Sequence, residues 1–211
     1  MAVDTDTQTV GGWLEMLASD APAPGGGAAG AVHAAIGAAL IEMVCRLTIG
    51  KPAYAEHERT MRSSLAEAAG LRARAVQLAE LDTEAFNLVA DAYRLPKDTD
   101  EAKHARTARI QAALVGAADV PLQVAAVAAE VVDVAGRILD GANRNVVSDV
   151  AVAAASARAA LDAAVVNVEV NSAALTDPTR RSDLAAQLTS YAPAVDHADA
   201  IVRAVRERIG R

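Results

Sequence analysis

Alanine fills about a quarter of this chain, while one Trp, three Tyr and one Phe are its whole aromatic complement. Alanine is the strongest helix former. A core this poor in bulky anchors has to be built by bringing backbones together, near the low end of the ~8–10 Å interaxial range of packed helices. The chain is thereby held to helices that pack closely, with small residues on the faces that touch. Its 211 residues suffice for a sizeable core, and one helical domain spanning 1–211 is expected.

Local punctuation divides the chain into helices and leaves no convincing strand run. A first helix over 10–19 holds Trp13 and stops at Asp20 and the Pro-Gly stretch. The second covers 26–49, with Gly50 placed as the residue past its end and Pro52 blocking continuation. A third covers 54–93, with apolar residues at three- and four-residue spacing from Leu65 to Val89. Asp98 and Glu101 have capping-box spacing at the start of a fourth helix. Pro121 removes one of that helix's internal bonds and predicts a bend, and Gly141 ends it. Ser148 or Asp149 is expected to cap a fifth helix that runs to about Leu175. After the break at Asp177-Pro178 a last helix reaches Ile209, with Pro193 as a point of interruption. The pattern predicts an all-α antiparallel bundle of five to six helices. In the second helix Gly26, Gly30, Ala34 and Ala38 recur every four residues beside Gly37, a smooth face suited to a tight intrachain contact or to a subunit interface.

Charge excludes some partners. The net charge is −7 and the 20 basic residues are dispersed among 27 acids, so the basic footprint that nucleic acid requires is missing. The apolar run 28–44 contains His33 and Glu42, and the run 150–170 contains Arg158, Asp162 and Glu169, so neither reads as a membrane span. Met1-Ala-Val-Asp-Thr-Asp has no basic region leading into an apolar segment, and Cys45 is the only cysteine. Neither a signal peptide nor an internal disulfide is expected, and the expected location is cytoplasmic.

Chemistry is concentrated in a few places. The run Pro22-Ala-Pro-Gly-Gly-Gly27 at a helix start leaves backbone N–H groups bare and lets a ligand approach the main chain, unless it is a plain turn. No Lys-Ser/Thr follows it and no strand precedes it, so it is neither a phosphate loop nor a dinucleotide fingerprint. Asp82 precedes Phe86 by one helical turn and shares its face, so it is a partly buried carboxylate that is either ion-paired or functional. Asn167 and Asn171 stand at i, i+4, where amides suit a heterocycle or the backbone equally. Arg46, Lys51 and Lys97 lie near helix ends, as dipole partners or as receivers of ligand carboxylates. His33, His57, His104 and His197 are scattered, so no metal site is expected, and Cys45 reads as a buried structural thiol.

Seven motifs occur in order: Pro22-Ala-Pro-Gly-Gly-Gly27, Leu47-Thr-Ile-Gly-Lys51 with Tyr54, Asp82-Thr-Glu-Ala-Phe86, Leu95-Pro-Lys97, Val120-Pro-Leu122, Asn143-Arg-Asn-Val-Val-Ser-Asp149 and Asn167-Val-Glu-Val-Asn171. With them the chain resembles, over residues 13–176, the cyclodeaminase/cyclohydrolase family of methenyltetrahydrofolate cyclohydrolases and formiminotransferase-cyclodeaminases. The resemblance implies an all-helical protomer in a homodimer, a tetrahydrofolate derivative as substrate and no tightly bound cofactor. It puts Asp82 at the position of the proposed catalytic aspartate. It further implies binding roles for Pro24, Gly25, Gly26, Gly27, Asn143, Asn167 and Asn171. Thr48, Ser148 and Asp149 would orient water or the pterin, and Arg46, Lys51 and Lys97 would hold the glutamyl carboxylates. Ala142, where the family often has Gly, and Ser172, where a longer side chain is frequent, are departures. Methenyltetrahydrofolate hydrolysis is the expected activity, since no formiminotransferase domain adjoins. Formiminotetrahydrofolate cyclodeamination is the alternative, and a folate-binding helical protein without turnover is a third reading.

Overall fold

A computed structural model describes residues 9–209; the reading of the N-terminal Met1-Ala-Val-Asp-Thr-Asp lies outside them. Seven α-helices follow one another: α1 (Val10–Leu17), α2 (Gly26–Thr48), α3 (Glu58–Arg94), α4 (Asp100–Ile138), α5 (Val147–Ala173), α6 (Pro178–Thr189) and α7 (Ala192–Ile209), with 3-10 turns at Pro52–His57 and Arg144–Val146. No strand occurs among the described residues.

Most helix ends fall where the local signals put them. Thr9 caps α1 by accepting from the Gly12 N–H, and Gly50, with φ +77°, is the left-handed residue that ends α2. Four ends differ. Tyr54, expected inside the third helix, has φ −124° within a 3-10 turn, and the α-helix begins at Glu58. Thr99 rather than Asp98 caps α4, its Oγ1 accepting from the Ala102 N–H. Ser148 and Asp149 do not cap α5 but sit in its first turn, because the chain enters through the Arg144–Val146 turn, which Asn143 caps instead. The C-terminal segment is two helices broken at 190–191, and Pro193 falls in the first turn of α7, where a missing N–H costs nothing.

Helices α2 to α5 form the central bundle, and α7 lies across α4 and α5. The small-residue stripe of α2 resolves as an intrachain contact. A Cβ at Gly30 would lie 3.0 Å from the Ala163 Cβ, and one at Gly37 would lie 2.9 Å from the Ala153 carbonyl, so α2 and α5 touch through their backbones. Alanine, valine and isoleucine fill the centre, among them Ala31, Ala38, Ile41, Val131, Ala154 and Ala157. One ion cluster interrupts it. Glu42, 5% exposed, accepts from Arg72 at 2.6 Å and from Arg46 at 3.1 Å between α2 and α3. By length and mean hydropathy α2 and α4 are apolar enough to cross a membrane, yet 61% and 56% of the relevant windows are buried inside the bundle.

Unequal lengths position the site. Helix α2 has 23 residues, whereas α3 has 37 and α4 has 39. Asp82 of α3 lies level with Gly27, and twelve further residues to Arg94 carry α3 about 18 Å past the start of α2. Three helices therefore wall a space from which the fourth is missing.

Candidate functional site

That space is a cavity of about 420 Å³, lined by the Pro-Gly turn, by Asp82, Phe86, Val89 and Tyr93 of α3, by Leu114 and Ala117 of α4, and by Asn167 and Asn171 of α5. The start of α2 points into it. Close packing of the two helices needs the glycine: a Cβ at Gly27 would stand 2.1 Å from Oδ1 of Asp82. Without that Cβ the carboxylate rests against the first turn of α2, where the nearby Ala28 N–H favours its ionised form. Gly26 is less constrained, since a Cβ there would meet the Asn167 amide at 3.6 Å. Pro24 is buried in the turn that delivers these glycines.

Asp82 has no cationic partner among the described residues, which removes the ion-pair alternative within this chain. Burial pushes its carboxyl above the ordinary carboxylate range, and the Ala28 N–H pulls only part of the way back. A half-buried carboxylate, unpaired, raised in basicity and at the floor of a cavity, is equipped to accept a proton or to stabilise a cation.

The two asparagines share a pattern. Nδ2 of Asn167 donates to the Ala163 carbonyl at 2.8 Å, and Nδ2 of Asn171 donates to the Ala117 and Asn167 carbonyls, both at 2.9 Å. Asn171 spends both amide N–H groups on backbone, and Asn167 spends one of its two. Each leaves an acceptor oxygen, so together with the Asp82 carboxylate the inner part of the cavity presents three acceptor groups, with the Tyr93 hydroxyl at the rim. Such a lining suits a ligand rich in N–H groups or carrying positive charge.

Several sequence candidates lie elsewhere. From Gly27 to Thr48 along α2 is about 32 Å, and Arg46, Thr48, Lys51, Asn143, Ser148 and Asp149 gather at that far end. They therefore do not join Asp82 within one protomer. Arg46 is held by Glu42. The Thr48 Oγ1 donates to the Val44 carbonyl at 2.7 Å and accepts from the Asn143 N–H at 3.1 Å. Asn143, buried, donates to the Leu47 carbonyl at 2.9 Å, and the Tyr54 hydroxyl accepts from the Arg144 N–H at 3.0 Å. These contacts join the end of α2 to the entry of α5. Lys51 and Ser148 are exposed, and Lys97 is exposed on the link from α3 to α4. Cys45 is buried and its thiol is pushed up to about 11, which suits a structural role. Val89, Tyr93, Leu114 and Ala117 were missed as site residues, although Asp82, Phe86, Val89 and Tyr93 recur at the spacing of one helix face.

Residues 9–190 match the family model described as formiminotransferase-cyclodeaminase. Over 170 residues the chain is 48% identical to the methenyltetrahydrofolate cyclohydrolase of Methylorubrum extorquens, covering 81% of this chain and 82% of that protein. It is 31% identical over 166 residues to mouse formimidoyltransferase-cyclodeaminase, covering 79% of this chain but only 31% of the mouse protein. The crystal structure of formiminotetrahydrofolate cyclodeaminase from Thermotoga maritima superposes with a TM-score of 0.87 at 28% identity, over 97% of this chain and 98% of that one.

Proposed function

The chain belongs to the formiminotransferase-cyclodeaminase family, and we propose that within it this protein is a methenyltetrahydrofolate cyclohydrolase with Asp82 as its base. In 5,10-methenyltetrahydrofolate the bridging carbon belongs to an amidinium cation. Water adds to that carbon as Asp82 takes a water proton, the C–O bond forms, and a neutral tetrahedral centre results. Collapse breaks the bond from carbon to N5, N5 gains a proton, and 10-formyltetrahydrofolate leaves. The overall balance is one water consumed and one proton released. The carboxylate at the start of α2 carries this reading, since it is the unpaired anion of a cavity otherwise suited to a cation. It would contribute ~10²–10⁴-fold in rate.

The cyclodeaminase neighbour favours a second substrate for the same carbon: N10 of 5-formiminotetrahydrofolate attacks the formimino carbon and ammonia leaves. Parallel assays separate the two. Loss of the methenyl chromophore above the spontaneous rate supports the hydrolase, and ammonia release alone supports the deaminase. If Asp82→Asn keeps turnover within roughly threefold, the base assignment is wrong.

The working unit in this reading is a homodimer. Ile36, Met43 and Leu47, 44%, 36% and 42% exposed, follow one another at helical spacing on the outer face of α2. An apolar stripe of this kind suits an antiparallel mate. Pairing two copies of α2 about its midpoint would bring the Lys51 and Asn143 end of one copy toward Gly27 and Asp82 of the other. Mixing the inactive variants Asp82→Asn and Lys51→Ala tests this. Random exchange leaves one intact site in half of the dimers and restores about a quarter of the native activity, whereas independent protomers restore none.

A further inference from the structure

The only Phe of the chain and one of its three Tyr stand at the rim of the cavity that holds Asp82, 41% and 49% exposed. With Val89 between them they form one edge of α3. Along that edge Phe86 is about 6 Å from Asp82, Val89 about 10 Å and Tyr93 about 16 Å. At the outer end lies a fixed cation. The Arg106 guanidinium sits 5.5 Å from the centroid of the Tyr93 ring and donates from Nε and Nη2 to the Tyr93 carbonyl at 3.3 and 3.0 Å. Among the described residues no carboxylate pairs with Arg106. Lys97, exposed four residues beyond Tyr93, adds a second cation without a carboxylate partner.

A carbon bound to two nitrogens divides its ligand. On one side is a heterocycle rich in N–H groups, on the other an aryl ring that ends in an anion. The acceptor oxygens of Asn167 and Asn171 suit the first half, and an aromatic edge leading to an arginine suits the second. Resting on the folate reading above, we propose that the Phe86–Val89–Tyr93 edge of α3 carries the aryl group outward from Asp82 and that Arg106 receives the first glutamyl carboxylate. Phe86 and Arg106 are positioning residues in this assignment; neither touches the reacting carbon.

The track is tested by crossing protein variants with a shortened substrate. Native protein, Phe86→Ala, Arg106→Gln and Arg106→Lys are assayed on 5,10-methenyltetrahydrofolate and on its analogue with a neutral methylamide in place of the glutamyl residue. Arg106→Gln is expected to raise KM about tenfold on the glutamyl substrate, with kcat and the analogue's KM unchanged. Arg106→Lys keeps the charge and is expected within about threefold of native KM. Phe86→Ala raises KM on both substrates. Equal effects of Arg106→Gln on both substrates, or no effect on either, overturn the track. A native protein that turns over neither substrate overturns the hydrolase reading instead, so the two failures are distinguishable. Thermal unfolding of each variant separates a lost contact from a lost fold.

Discussion

Replacing Gly27 by alanine tests the centre of the site with a single methyl group. Its Cβ would lie 2.1 Å from Oδ1 of Asp82, 2.5 Å from Cγ and 2.7 Å from Oδ2. To reach even a 3.4 Å contact Oδ1 must retreat by 1.3 Å, and because Cγ is also too close, turning the carboxylate in place does not relieve the overlap. The side chain has to swing away and give up the Ala28 N–H. A misplacement of about 1 Å costs on the order of 10²-fold in rate, and complete withdrawal of the base costs ~10²–10⁴-fold. Stability changes less. Alanine gains about 1 kcal/mol of helix propensity, and the displaced carboxylate recovers hydration that outweighs the loss of the Ala28 N–H. The net change is within about 1 kcal/mol, a shift in Tm of no more than about 2–4 °C for a domain of this size. Steady-state hydrolysis of 5,10-methenyltetrahydrofolate and a thermal melt read both quantities. Gly26→Ala, whose Cβ meets nothing closer than 3.6 Å, is expected to lose far less activity. In an Asp82→Ala background the clash is gone, so Gly27→Ala should stabilise by about 1 kcal/mol, a coupling that a double-mutant cycle measures. Gly27→Ala with kcat/KM within threefold of native refutes the geometry.

Other outcomes follow from the same contacts. The acid limb of kcat/KM should have its midpoint above the ordinary carboxylate range, since the reactive form of Asp82 is ionised and burial raises its pKa; a midpoint at or below 3.8 contradicts this. For stability the sign is opposite: a raised folded pKa gives Asp82 a contribution that is present below the unfolded value and lost as pH rises through the folded one. Asp82→Asn should therefore match native Tm in acid and exceed it at neutral pH, as melts at both pH values would show. Gly37→Ala should cost about 1–3 kcal/mol by overlap with the Ala153 carbonyl and Val131, whereas Gly70→Ala, with nothing within 4 Å, should gain about 0.5–1 kcal/mol in denaturant unfolding. Thr48→Val removes the acceptor of the buried Asn143 N–H and should cost about 1–3 kcal/mol by the same measurement.

What was legible in the sequence was local. The period that makes α3 a helix also puts Asp82 and Phe86 on one face, and Gly50 after Thr48 announces a left-handed helix end. Distances across the fold were not legible. Motif order gave no sign that Thr48 and Asn143 bond to each other some 32 Å along α2 from Gly27. Nor did three consecutive glycines reveal that Gly27 alone meets a carboxylate, because that depends on how α3 crosses α2. The α5 entry was misread for a related reason: Ser148 and Asp149 are good caps, but Asn143, anchored by the Leu47 carbonyl, turns the chain five residues earlier.

Because the cavity exists where α2 has not yet begun, its depth is set by the length of the segment between α1 and α2. One extra helical turn at the start of α2 would advance its first residue by about 5.4 Å and plug the floor; one turn fewer would deepen it by the same amount. The added turn leaves the existing residues of the central bundle in place, whereas the lost turn takes Gly27 and the buried Ala28 with it. Ligand size in this architecture can thus be reduced by a single insertion of three or four codons ahead of Gly26, while the folding core is left as it was.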